Sequence, residues 1–252
     1  MTKRKYVSPK MMILKGIAEK YQFNMGNLIR SNETARKLSA MLGYRLERLR
    51  NDPDPYVRAE AARYGENLEY YLDDPSPVVR KVLVELGYGL DVFVYDPDPM
   101  IRCAVAEVPF GLDILVNAPE EIVRKTVALQ GYGGELLKND PSAMVRLAVL
   151  QSGYDADYFV NDPVPEIRIA AAEKGAGLKE LMFDPDPKVR IAVLKQGYMP
   201  EYFVSDKNQL VREAAAREGY GWEELANDSF WQVRLAVAES GYDPDGFLHD
   251  TN

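Results

Sequence analysis

The 22 residues NDPDPYVRAEAARYGENLEYYL, positions 51–72, return as NDPVPEIRIAAAEKGAGLKELM at positions 161–182. Arginine marks the register most plainly: Arg36, Arg58, Arg80, Arg102, Arg124, Arg146, Arg168, Arg190, Arg212 and Arg234 follow one another at 22-residue steps with no insertion or deletion. A fixed period of this size describes a small supersecondary unit that cannot bury its own apolar face. Neighbouring copies must stack to make a continuous core, and function is then to be sought on a surface.

Each column of the repeat has a physical task. Pro55, Pro77, Pro99, Pro165 and Pro187 stand at a first helical position, mostly behind a residue able to cap the helix, as Asp54, Ser76, Asp98 and Asp186 are. Val57, Val79, Ile101, Val123, Val145, Ile167, Val189, Val211 and Val233 begin an i, i+3, i+4 stripe of small apolar residues, which predicts the face that packs on adjacent copies. Glycine at 43, 65, 87, 131, 153, 175, 197, 219 and 241 ends the helix, Pro109 being the departure. The residues left before the next Asp-Pro suffice for one short element, α-helical or 3₁₀, carrying Leu49, Tyr71, Phe93, Leu115, Leu137, Phe159, Leu181, Phe203, Leu225 and Phe247. An acidic column opens that element, with Lys179 as its exception. From Arg124 onward Gly-x-Gly turns alternate with GYDADYF-like turns, so successive turns are expected to alternate in shape.

Composition agrees with a folded, elongated domain: 46% hydrophobic and 28% charged over 252 residues. We expect an N-terminal basic amphipathic capping helix over residues 1–28, followed by a tandem-repeat solenoid over 29–252. Residues 1–30 hold seven cations against Glu19, a balance of +6, and the total of −8 leaves −14 for the remainder. An acidic body suits a basic partner better than a polyanion. Apolar stretches are too short to span a bilayer, no export signal is evident, and a cytoplasmic protein is expected. Cys103 occupies a small apolar column and His249 a loop column, so neither a metal site nor a cofactor is expected.

The pattern Asp-Pro-Asp-Pro-x-Val-Arg-x-Ala-x-Ala, followed by a short element bearing Leu or Phe, resembles the leucine-rich repeat variant family and, more loosely, HEAT-like repeats. That resemblance covers nearly the whole chain. It implies an all-α, right-handed solenoid of about ten helix and short-helix repeats, the short helices being 3₁₀, with no shared enzymatic activity. Members with an N-terminal iron–sulfur cluster use a cysteine group that this chain lacks.

Ten guanidinium groups at repeat spacing could follow a phosphate backbone. Each, however, follows a core position, and eight of the ten trail an Asp by six residues, as Arg58 trails Asp52, so hydrogen bonds or ion pairs to Asp52, Asp74, Asp96, Asp140, Asp162, Asp184, Asp206 and Asp228 are expected instead. The pattern fails at Ala118, Lys207 and Ser229, which are therefore places to look for specialisation. The regular aromatic column Tyr44, Tyr88, Phe110, Tyr132, Tyr154, Tyr198, Tyr220 and Tyr242 is expected to fill wedges between copies, whereas the irregular Tyr70, Tyr158, Tyr202, Trp222 and Trp231 are candidate partner contacts. The Gly-x-Gly turns lack the strand and Gly-Lys-Ser/Thr of a phosphate loop, and no acid–base pair stands apart from the repeating set. The expectation is a non-enzymatic protein-binding scaffold with an acidic extended or concave surface and a basic protein partner. The alternative is a nucleic-acid-binding HEAT-like protein using the basic leader and the arginine ladder.

Overall fold

The computed structural model describes residues 33–43 and 46–241. The expected capping helix of residues 1–28, His249, Phe247, Tyr44 and Tyr242 lie outside them. The chain divides into two compact units between Gly133 and Gly134. In the first, nine-residue helices run Glu33–Met41 (α1), Pro55–Arg63 (α2), Pro77–Glu85 (α3), Pro99–Glu107 (α4) and Glu121–Leu129 (α5). In the second they run Ala143–Gln151 (α6), Pro165–Glu173 (α7), Pro187–Lys195 (α8), Gln209–Arg217 (α9) and Trp231–Glu239 (α10). A four-residue helix separates each long helix from the next, and no strand occurs among the described residues. Within each unit successive long helices pack on one another, which is the arrangement of an α-solenoid.

Nine-residue helices are too short to persist alone in water, so packing must hold them. The two apolar columns supply it. Val57, Val79, Ile101 and Val123 in the first unit, and Val145, Ile167, Val189, Val211 and Val233 in the second, are completely or almost completely buried, as are the Leu, Phe and Tyr71 side chains of the short helices from Leu49 to Leu225. Cys103 belongs to this core, and desolvation raises the pKa of its thiol. Among the N-caps, Asp54, Asp98, Asp186 and Asn208 accept a backbone N–H two residues on, while Ser76 makes no side-chain cap bond.

The short helix takes two forms. It is 3₁₀ at Leu68–Tyr71, Ala156–Phe159 and Pro200–Phe203 and α-helical elsewhere, so the turns between residues 153 and 225 alternate as the 44-residue period requires. From residue 67 to residue 221 a steric contact with the preceding copy goes with this difference. The glycine that precedes the short helix at four turns rests against a Leu or Val 17 residues earlier: an added Cβ would stand 2.5 Å from Leu72 at Gly89, 2.6 Å from Val94 at Gly111, and 2.4 Å from Val160 at Gly177 and from Val204 at Gly221. Where the earlier residue is instead long and flexible, as Arg50, Lys138 and Met182 are, the later position carries a side chain: Asn67, Asp155 and Met199. These three introduce the 3₁₀ helices.

Arginine fastens the Asp-Pro loops together. Arg190 donates from Nε and Nη2 to the two carboxylate oxygens of Asp206, each at 2.7 Å, while its Nη1 donates to the carbonyl of Asp184 at 2.7 Å. Asp206 Oδ1 in turn accepts the N–H of Asn208 at 2.8 Å. The same clasp joins Arg58 to Asp74, Arg80 to Asp96, Arg146 to Asp162, Arg168 to Asp184 and Arg212 to Asp228, and Arg36 reaches Asp52 through Nε. The expected ion pairs are thus present. At Ala118, where the aspartate is lost, Arg102 pairs with Glu120 two residues further on.

Two predictions follow from this packing. Gly177→Ala combines a left-handed backbone (φ 55°) with a collision on Val160 and is expected to destabilise by about 3 kcal/mol. Gly175→Ala, whose added methyl meets open space, costs only about 1 kcal/mol. Urea melts of Gly177→Ala, Val160→Ala and the double variant should show a coupling of at least about 1 kcal/mol in the relieving direction. The clasp makes the second prediction. The Arg190 and Asp206 side chains are only 5% and 6% exposed, so Arg190→Ala should cost about 3–5 kcal/mol by stranding a carboxylate, and Arg190→Lys should recover little of it because lysine cannot bridge both oxygens. Burial raises the pKa of Asp206 and Asp228, but hydrogen bonds from Arg190 and Arg212 and from the loop N–H groups outweigh it, so both end below the usual value. A depressed carboxylate contributes stability above its unfolded pKa, near 4, and loses it as pH falls through the folded value. Melting temperature should therefore fall with acid below about pH 4 in the wild type, and less steeply in Asp206→Asn.

Candidate functional site

The clasps form the floor of a run of grooves along the Asp-Pro edge of the second unit. A first groove of about 410 Å³ lies among Lys138, Arg146, Tyr158 and Asp162. A second, about 380 Å³, shares Asn161, Asp162 and Pro163 with it and continues to Glu180, Phe183 and Asp184. A third, about 590 Å³, shares Phe183 and Asp184 with the second and reaches Met199, Glu201, Tyr202 and Lys207. The three depressions are one repeat apart and have common walls.

Each wall has a local cause. The Asp-Pro loop is pinned from beneath by arginine, which leaves the loop face outward, and in the second unit the third residues Tyr158, Glu180 and Tyr202 of the short helices line the grooves. That column reads Tyr70, Val92, Ile114, Leu136, Tyr158, Glu180, Tyr202 and Glu224, and its apolar members are exposed. Tyr158 (44% exposed) and Tyr202 (47%), two of the irregular aromatics, are exposed and line grooves. Tyr70 holds the equivalent position in the first unit, beneath the Arg50 guanidinium at 4.1 Å from its ring centre.

The tryptophans behave differently. Trp222 is half-buried and its indole N–H donates to the carbonyl of Ala216 at 2.8 Å, so the ring serves the turn and not the grooves. Trp231 is exposed beside Phe230 at the start of α10, where Phe-Trp replaces the usual cap and proline; it lines none of the three grooves. Of the pattern breaks, Lys207 lines the largest groove, and Ser229 precedes this Phe-Trp pair.

Sequence reasoning missed Phe183, the aromatic that joins two grooves. It is 62% exposed and meets Tyr202 edge-to-face with ring centres 5.3 Å apart. Its signal was positional: the column otherwise holds Asn139, Asn161, Ser205 and Asn227 in this unit, so an aromatic there breaks a loop pattern. Tyr154, from the column assigned to wedges, is half-buried and packs so closely on Gly134 that an added Cβ would stand 2.6 Å from its ring; Phe110 and Tyr132 of the same column are exposed.

Charge at the grooves is set by their rims, because the floor consists of matched pairs. Lys138 donates to Glu135 Oε2 at 2.7 Å and to Tyr154 Oη at 3.1 Å, and its ammonium stands 4.6 Å from the centre of the Tyr158 ring. The Glu135 contact, with that of Tyr154, raises the lysine's pKa, and the lysine lowers that of Glu135. Tyr154 Oη donates to Glu135 Oε1 at 2.6 Å, which raises the phenol's pKa. Tyr158 Oη donates to Asn139 at 2.8 Å. Further along the edge Asp157, Glu180, Glu201, Glu223 and Glu224 are exposed, with Lys179 and Lys207 as the nearby cations.

Among the described residues no group of three or more His, Cys, Asp or Glu is placed to hold a metal ion, and no helix is long and apolar enough to cross a membrane. No family model matches the chain, and neither the curated proteins nor the solved structures contain a match to it.

Proposed function

We propose that the chain is a non-enzymatic protein-binding scaffold, a solenoid of the leucine-rich repeat variant or HEAT-like kind, whose grooved Asp-Pro edge holds an extended segment of a basic protein. The observation that carries this reading is the succession of three depressions with shared walls, rimmed by Tyr158, Phe183 and Tyr202. A run of depressions at repeat spacing suits an extended chain that places side chains in turn, and exposed aromatics are the residues that carry most binding energy at protein interfaces. Three of the nine described short helices have the 3₁₀ form that the leucine-rich repeat variant resemblance implies, and the other six are α-helical.

Along the short helices of the second unit the exposed carboxylates Asp157, Glu180, Glu201, Glu223 and Glu224 outnumber the cations Lys138, Lys179 and Lys207, which favours a basic segment, although among the groove-lining residues outside the clasps Glu180 and Glu201 are matched by Lys138 and Lys207. The ladder lends the nucleic-acid alternative little support: Arg58, Arg80, Arg146, Arg168, Arg190 and Arg212 already grip carboxylates with both arms and are largely buried. A guanidinium so held has no bidentate face to offer a phosphate.

Immobilised full-length protein, compared with a Phe183→Ala/Tyr202→Ala double variant, tests the reading by capture from lysate with and without nuclease. The expected result is a basic protein retained after nuclease treatment, released at high salt, and reduced about tenfold by the double variant. Recovery that disappears with nuclease, or that the double variant leaves unchanged, would overturn it.

A further inference from the structure

Three short helices carry tyrosine at their third position, and they are the three that are 3₁₀: Tyr70, Tyr158 and Tyr202. In each case the residue 20 positions earlier is the long, flexible one that replaces the usual Val or Leu: Arg50, Lys138 and Met182. In the first unit Arg50 stands over Tyr70, and in the second Lys138 stands over Tyr158 with Glu135 as its carboxylate. The fold thus builds the same arrangement twice, a cation on a tyrosine face, from the chain's own residues. At the third place the cation is missing. Met182 is buried in the core, no lysine or arginine among the described residues stands over Tyr202, and the groove is larger than that beside Lys138, about 590 against 410 Å³.

We propose that the Tyr202 groove is a receptor for a lysine or arginine side chain from the basic partner, which supplies in trans the cation that Arg50 and Lys138 supply in cis. The ring faces come from Tyr202 and Phe183. The carboxylate comes from Glu201, since the other two that line the groove, Asp184 and Asp206, are held by Arg168 and Arg190. An aromatic face with a nearby carboxylate attracts a cation through the ring quadrupole and through charge together. Lys207, on the same groove, excludes a partner that crowds several cations together and favours one cationic side chain among small neighbours.

This inference rests on the groove reading above and is tested separately from it. The probe is a fluorescein-labelled Gly-Ser-Gly-Arg-Gly-Ser-Gly peptide, with a control in which glutamine replaces the arginine, titrated against the full-length protein by fluorescence anisotropy. The cationic peptide should bind about tenfold more tightly than the glutamine control. Tyr202→Leu and Glu201→Gln should each weaken it about five- to tenfold, and Met182→Lys, which installs a cation from within as at Lys138, should do the same. Thermal melts establish that each variant is folded. If Met182→Lys fails to fold, Tyr202→Leu decides, because it alters an exposed ring and leaves net charge unchanged. Equal binding of the two peptides, or cationic binding indifferent to Tyr202→Leu, would overturn the proposal. If partner capture is lost in the groove double variant while the peptides remain indistinguishable, only the cation receptor falls and the binding groove stands.

Discussion

The structure depends on one reach of one side chain. An arginine six residues after an Asp-Pro aspartate returns to that aspartate's carbonyl through Nη1, and the rest of its guanidinium extends to a carboxylate 16 residues ahead, in the next repeat. Six and sixteen make the 22-residue period, so the clasp measures the repeat. A residue inserted between Arg168 and Asp184 would either swing the next loop off its arginine or leave a buried charge unpaired, and stranding a partly buried charge costs several kcal/mol. This accounts for a register kept across ten copies without a gap. The single adjustment has the form expected: when Ala118 replaces aspartate, the carboxylate reappears at Glu120 on a longer side chain.

Within that register a second constraint acts between neighbours. Glycine at 89, 111, 177 and 221 lets the short helix approach a Leu or Val of the preceding copy, and at Asn67, Asp155 and Met199, where the turn carries a side chain, the preceding residue is Arg50, Lys138 or Met182. An unbranched side chain can bend away from a Cβ, whereas a β-branched one fixed by packing cannot. From Asn67 to Gly221 the three 3₁₀ helices coincide with a side chain at this turn, so the pair 17 residues apart accompanies the form of the helix.

This explains what the sequence made legible. Residues whose task is identical in every copy, such as the Val/Ile column from Val57 to Val233, the helix-ending glycines and the arginine ladder, form columns, and a column can be read without coordinates. The partners of the ladder could be named too, because a charge beside a core position must be paired and only the Asp-Pro aspartates recur with it. The grooved edge was less legible because its lining residues are departures from columns, and a departure shows its meaning only when its neighbours across the repeat are known. Tyr158 and Tyr202 were visible as irregular aromatics, but so was Trp222, whose indole serves the backbone of Ala216. Phe183 looked like a loop residue until its ring was found against Tyr202.

The net charge of −8 also acquires a location. Carboxylates of the clasps are neutralised in place by arginine, so they contribute little field to a molecule approaching the edge. Exposed carboxylates of the short helices have no such burden, and Glu180, Glu201, Glu223 and Glu224 follow one another at or near repeat spacing beside the exposed aromatics. A scaffold built this way separates its two uses of charge. Buried pairs fix geometry and are insensitive to salt, while the rim sets attraction and is screened by it. Substitutions at the rim can then change what the edge prefers without loosening a clasp, since the rim side chains project from a turn whose position is already determined from below.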